Sequence, residues 1–245
     1  MDLIEYILLF FSVLLGGGIA FYVQKNNKTI MELVLSLSGA YLLGITVLHL
    51  MPVIFKEPGH TVGFFVLIGF LLQLFLEQLS GGVEHGHIHA PHNPASNFAV
   101  SVMVGLCAHA FLEGIPLSNY GTLTPVGHEH NHLLYGIILH KAPAAFALVL
   151  LFLTADFKKS TVLGCLFLFA MMSPMGAFIA ESISFDKPTQ IKIMAVVIGS
   201  FLHISTTILF ETDNTHQHKI PIKRVAAILV GIGFAALTVL VEHEH

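Results

Sequence analysis

Apolar residues occur along this chain in runs of about 20, separated by short polar breaks, which is the length a helix needs to cross a hydrocarbon core of roughly 30 Å. Eight such runs stand at about 3–23, 30–52, 61–80, 97–119, 131–154, 160–182, 190–211 and 221–241. None alternates between apolar and polar positions with a period of two, so the pattern predicts a helical bundle and not a barrel. The expected fold is an all-α membrane protein with eight transmembrane helices. Because the connections are short, residues 1–245 read as a single transmembrane domain without a soluble module.

Composition agrees with the pattern. Hydrophobic residues make up 55% of the chain and charged residues 11%, with a mean hydropathy of +0.80, whereas soluble domains carry about 25% charged residues. No nucleic-acid partner is expected, and the lipid bilayer is the expected surrounding. The first span is too long, and followed too soon by another, for a cleaved secretory signal, and it lacks a basic leader. Cys107 and Cys165 both fall within spans, where packing is the simpler reading than a disulfide or a thiolate metal site. Basic residues set the orientation. With the N-terminus outside, Lys25, Lys28, Lys158, Lys159, Lys219, Lys223 and Arg224 lie on the cytoplasmic side, against Lys56, Lys187 and Lys192 outside. Both termini are therefore expected outside. Lys141 falls inside a span and needs its own explanation.

On this topology the longest connection is cytoplasmic. Residues 81–96 hold "VEHGHIHAPHNP", with His85, His87, His89 and His92 in a Gly/Pro-containing segment. Such a tract suits transient metal capture, or is simply a polar loop. A faint internal echo links "GAYLLGIT" (39–46) in the second span with "GSFLHIST" (199–206) in the seventh. Counterparts an odd number of spans apart point in opposite directions, which is the inverted-repeat plan that places a site near the midplane.

The chemistry concentrates in spans four and five. "HAFLEGIP" (109–116) sets His109 and Glu113 four residues apart, on one face of a helix. "HKAPAAFAL" (140–148) follows with His140 and Lys141. An ionisable group at the bilayer centre costs on the order of 2.5–3.5 kcal/mol, so it is expected to have a partner and a task. Pro116 and Pro143 each deprive a carbonyl four residues earlier, those of Leu112 and Leu139, of its helical donor. At 1.5 Å per residue, His109 stands about 18 Å and His140 about 16 Å above the inner face, so the two meet near mid-membrane. Two imidazoles and a carboxylate suit Zn2+, and also iron, manganese, cobalt or nickel. A competing reading makes Glu113 the counter-ion of Lys141 in a structural buried pair without metal. His49, Ser173, His203 and Glu77 extend a polar line toward either face. His49 and Glu77 read equally well as interfacial side chains that reach the headgroups.

With these residues in view the sequence resembles the ZIP (Zrt/Irt-like) family of divalent-metal transporters over nearly all eight spans. His109-Ala110-Phe111-Leu112-Glu113-Gly114 is similar to the family's His-Asn-x-x-Glu-Gly, and His140-Lys141-Ala142-Pro143-Ala144 to its fifth-helix pattern. "HLMP" (49–52) is similar to His-Leu-Leu-Pro of the second helix, and the His-rich loop falls in the expected place. The resemblance implies a 3+2+3 inverted-repeat fold, metal movement into the cytosol, a homodimer by family analogy, and a metal site at His109, Glu113 and His140. Tyr41 is only loosely comparable to a family ligand. Ala110, Lys141, Ala144 and Ser173 stand where many members carry the ligands of a second ion, so a single site is expected, with the Lys141 ammonium where the second ion would be.

The expected function is alternating-access transport of Zn2+ as substrate, with Cd2+, Fe2+, Mn2+, Co2+ or Ni2+ as further candidates and no organic cofactor. Spans two, four, five and seven would shift against the rest, exposing the ion outward toward His49 and then inward toward His203 and Glu77. Two other classes compete: a transport-dead relative that senses metal or serves as a structural subunit, and, more remotely, an intramembrane zinc hydrolase. The chain reads as a transporter and not an enzyme. The short loops fit a bacterial inner (cell) membrane.

Overall fold

The computed structural model describes residues 1–22, 28–56, 61–83, 97–118, 120–123, 131–210 and 221–242. Eight long helices and no strand occur among them: α1 (Leu3–Ala20), α2 (Lys28–Ile45, prolonged by Thr46–Leu50 and Met51–Ile54), α3 (Thr61–Ser80), α4 (Phe98–Gly114, prolonged by Ile115–Ser118), α5 (Asn131–Thr154), α6 (Lys159–Glu181), α7 (Lys187–Phe210) and α8 (Ile222–Glu242). Seven of them, α1 to α7, are long and apolar enough to cross a membrane. The 21-residue α8 packs along α2. The protein is thus a multi-pass membrane protein. Phe11, Leu15, Phe64, Leu71 and Phe167 stand exposed on its outside, which is the arrangement lipid requires and water penalises. The His-rich loop expected at 81–96 lies almost wholly outside the described residues. Gly81 and Gly82, at φ of +66° and +74°, end α3 just before it in the left-handed conformation that glycine adopts without cost.

The prolines leave their marks in the helices. In α2 the Met51 amide donates to the Thr46 carbonyl, five residues back, so Thr46–Leu50 widens into a π-turn just ahead of Pro52, which has no amide to donate. In α4 the helix tightens to a 3-10 turn over Ile115–Ser118 at Pro116. Pro143 lies inside α5 and Pro174 inside α6, and both helices continue through them.

Four pairings dominate the packing: α1 with α5, α4 with α6, α2 with α8 and α3 with α7. Exchanging α1 with α6, α2 with α7, α3 with α8 and α4 with α5 maps this set onto itself, as a 3+2+3 repeat demands. Glycines permit the close crossings. A Cβ on Gly199 would lie 1.9 Å from the Val66 carbonyl oxygen and one on Gly69 equally close to that of Val196, so α3 and α7 meet backbone to backbone. Gly114 against Ser173 and Gly176 against Phe111 do the same for α4 and α6.

The interior is formed chiefly by α2, α5 and α7, with α1 and α3 at the perimeter. The packing nevertheless divides the molecule differently from the grouping of spans two, four, five and seven expected from sequence. One apolar cluster is built by α1, α4, α5 and α6, through Val13, Leu106, Leu148 and Phe169. A second centres on α2 and α7, through Leu42, Ile45, Phe201 and Ile204, and reaches Leu117 and Ile137. With the pairings, this yields a group of α1, α4, α5 and α6 and a group of α2, α3, α7 and α8, which meet mainly where α3 lies on α4 and α2 on α5.

Candidate metal centre

His109 and Glu113 stand one turn apart on α4, and α5 brings His140 and Lys141 against them. One ligand atom from each of His109, Glu113 and His140 lies within 4.8 Å of the others, and all three residues are buried. His109 Nε2 is 2.7 Å from Glu113 Oε1, and Lys141 Nζ is 2.8 Å from Glu113 Oε2. The carboxylate is therefore shared, one oxygen turned to an imidazole and the other to an ammonium. The His109 and His140 rings meet edge to face with centroids 6.1 Å apart, and Lys141 Nζ sits 5.2 Å above the Phe169 ring. A buried carboxylate is tolerated only beside compensating charge or donors, and here Lys141 supplies the charge. The arrangement offers two neutral nitrogen donors and one anionic oxygen, a set matched to divalent first-row ions.

The flanking residues sort into two further clusters. The His49 ring, on the π-turn of α2, stacks on His132 of α5 at 4.5 Å with 16° between planes, and its Nε2 is 2.9 Å from Thr238 Oγ1 of α8. Glu77 of α3 pairs with His203 of α7, whose ring meets Phe70 edge-on at 4.8 Å. Successive spans run in opposite directions, so His132, about 12 Å before His140 along α5, and His203, beyond the site along α7, lie on opposite sides of the centre. Ser173 donates its hydroxyl proton to the Ala110 carbonyl at 2.7 Å, joining α6 to α4 beside His109. Tyr41 is buried in the apolar cluster around α2. Cys107 and Cys165 are both free thiols, as packing residues are. His85, His87, His89 and His92 lie outside the described residues.

Three side chains went unread in the sequence. Ser200 of α7 donates to Gln73 Oε1 of α3 at 2.9 Å and lies 3.3 Å from His109 Nδ1. His132 was hidden in the histidine run "HEHNH" (128–132), although its place at the start of span five, level with His49 at the end of span two, was the available signal. Gln73, four residues before Glu77, carried the same helical spacing as His109 and Glu113 but no charge to draw notice.

This is a multi-pass helical membrane protein whose buried nitrogen and oxygen cluster lies between two apolar helices, with a polar pair on either side of it. Residues 84–238, more than half of the chain, match the family model "ZIP Zinc transporter", and the chain belongs to this family. It is 25% identical over 209 residues to zinc transporter ZIP9 of Xenopus tropicalis, covering 75% of this chain and 66% of that protein. Zinc transporter ZIP1 of Homo sapiens is 27% identical over 176 residues, covering 66% of this chain and 52% of that protein. The matches thus span between about half and just under two thirds of these relatives' own lengths.

Proposed function

We propose that the chain carries divalent metal ions, Zn2+ foremost, across the membrane toward the cytosol by alternating access through a single site at His109, Glu113 and His140. The observation that supports this most is the convergence of those three buried ligand atoms within 4.8 Å, on a chain of the ZIP family. Zn2+ is the first candidate because the matched relatives are named zinc transporters; Cd2+, Fe2+, Mn2+, Co2+ and Ni2+ share the donor preference. Membership of a transporter family sets the hydrolase reading aside.

His109 and His140 offer nitrogen lone pairs, and Glu113 supplies the negative charge that replaces lost hydration. Lys141 sets the strength. At an effective dielectric of about 20, a divalent ion roughly 5 Å from the ammonium is repelled by on the order of 6–7 kcal/mol. That is large enough to turn a trapping site into a releasing one. The site lies wholly on α4 and α5, within the group of α1, α4, α5 and α6. Moving that group against α2, α3, α7 and α8 carries the site from His49 and His132 on one side toward Glu77 and His203 on the other. With the termini outside, as the basic residues favour, the His49 side is external and the His203 side cytoplasmic, where His85, His87, His89 and His92 receive the ion. Family analogy favours a homodimer, and the short connections favour a bacterial inner membrane, although the matched relatives are eukaryotic; cross-linking and fractionation of native membranes test these two points.

The runner-up is a transport-dead relative in which Glu113 serves only Lys141, and the 2.8 Å ion pair is the observation in its favour. Zinc uptake by proteoliposomes separates the two. Uptake by the wild type that falls to background in His109→Ala, Glu113→Ala and His140→Ala supports the carrier. No uptake by correctly folded wild type supports the runner-up.

A further inference from the structure

We propose that Phe169 of α6 is a positioning residue for the metal site: its ring holds the Lys141 ammonium when an arriving ion takes Glu113, so that entry exchanges one cation for another on the same carboxylate. This inference rests on the metal-site reading above and adds a residue from a helix that contributes no ligand. Lys141 is 1% exposed, and among the described residues its Nζ has one ion-pair partner, Glu113 Oε2 at 2.8 Å, and one ring partner, Phe169, with the centroid 5.2 Å away. A divalent ion held by His109, His140 and Glu113 draws on the charge of that carboxylate, and the ammonium is then left buried without its anion, which is costly. The ring meets this need. Its face carries the negative part of the aromatic quadrupole and attracts a cation, yet it offers none of the nitrogen or oxygen lone pairs that Zn2+ prefers. A carboxylate in its place would hold the ammonium too, but would compete with the site for the ion.

The fold pins the ring where this requires it. Phe169 is 2% exposed and packs in the apolar cluster that also holds Leu106 and Leu148. It stands one turn before Ser173, whose hydroxyl donates to the Ala110 carbonyl, and Gly114 and Gly176 let the α4 and α6 backbones close on each other just beyond. The ring is thus fixed against the helix that carries Glu113, while the ammonium comes from α5. All three residues belong to the group of α1, α4, α5 and α6, so the exchange travels with the site when the groups move. The sign of the effect follows from the charges. In the metal-free protein a carboxylate at 2.8 Å offsets most of the ammonium's charge, and the ring adds little. With the ion bound the ring acts on an ammonium that has lost its anion. Removing the π face therefore weakens the metal-bound state more than the metal-free one.

The test uses the full chain, purified and reconstituted, with Zn2+ as probe; binding at the central site is the part lost in His109→Ala. Phe169→Leu, which removes the ring and keeps an apolar side chain, is expected to raise the half-saturating Zn2+ concentration by about threefold to thirtyfold. In a Lys141→Met background the same change is expected to leave it within twofold, because no ammonium remains to be held. Mono-, di- and trifluorinated phenylalanine placed at position 169 drain the ring face of negative potential while nearly keeping its shape, and are expected to weaken Zn2+ binding stepwise when Lys141 is present and not when it is methionine. This series also covers a Phe169→Leu protein that fails to fold. Zn2+ binding that does not change with fluorination overturns the proposal. So does an equal loss from Phe169→Leu with and without Lys141, which would make the ring ordinary packing. If Zn2+ binding and uptake are instead indifferent to His109→Ala, the metal-site reading itself has failed, and that outcome is visible separately.

Discussion

Glu113 is the residue on which the site turns, because its two oxygens serve opposite partners. One faces His109 at 2.7 Å and the other Lys141 at 2.8 Å. Removing one partner of a buried pair leaves an uncompensated charge, at a cost of about 3–5 kcal/mol. Lys141→Met is therefore expected to lower the melting temperature of the metal-free protein. It also removes the repulsion against an incoming ion, so added Zn2+ is expected to raise the melting temperature more in the variant than in wild type, since at a given concentration a ligand stabilises more the more tightly it binds. Thermal unfolding in detergent with and without Zn2+ checks both signs; an equal Zn2+ response in the two proteins would contradict the role given to Lys141. His109, Glu113, His140 and Lys141 were all legible in the sequence, since each is an ionisable group in an otherwise apolar run and two share a helical face. Gln73 and Ser200 were not. Uncharged polar residues are cheap enough in membrane helices to carry no signal, and only the crossing of α3 and α7 gives them a target.

Helix crossings, not helix identities, position these residues. Gly199 and Gly69 sit where α3 and α7 touch, whereas a Cβ on Gly164 of α6 meets nothing within 4 Å. Gly199→Ala is expected to force the two helices apart and to destabilise the protein by about 1–3 kcal/mol. Gly164→Ala is expected to be neutral or stabilising, because alanine is favoured over glycine in a helix by about 1 kcal/mol. Paired thermal melts distinguish the two, and similar effects at both positions would contradict the crossing. Element boundaries were read to within a few residues, apart from the π-turn at Thr46–Leu50. That turn depends on how the carbonyls ahead of Pro52 re-pair, which periodicity cannot show. His132 was missed for a related reason: a histidine at the edge of a polar run looks like loop until α2 is laid beside α5.

At the scale of the whole molecule, the sequence showed eight apolar spans but not which of them lie inside or how they pack. Helices of similar length and hydropathy differ widely in burial, α1 and α3 lying outside and α5 and α7 inside, and the division into α1, α4, α5, α6 and α2, α3, α7, α8 likewise depends on which faces meet. This division predicts that bridging the groups stops the carrier. In a background with Cys107 and Cys165 replaced by alanine, cysteines at Leu42 of α2 and Gly136 of α5, which pack together, joined through disulfides by a short bis-methanethiosulfonate cross-linker, are expected to abolish zinc uptake, and reduction of those disulfides to restore it. Full uptake after complete cross-linking would remove that division as the moving boundary. The central claim, one metal site made by His109, Glu113 and His140, is tested most directly by zinc uptake into proteoliposomes together with bound-zinc stoichiometry after deletion of the 84–96 segment. The account predicts about one ion per chain, with uptake and binding lost together in His109→Ala, Glu113→Ala and His140→Ala. Uptake that survives those three substitutions, or a folded wild type that neither binds nor moves zinc, would contradict it.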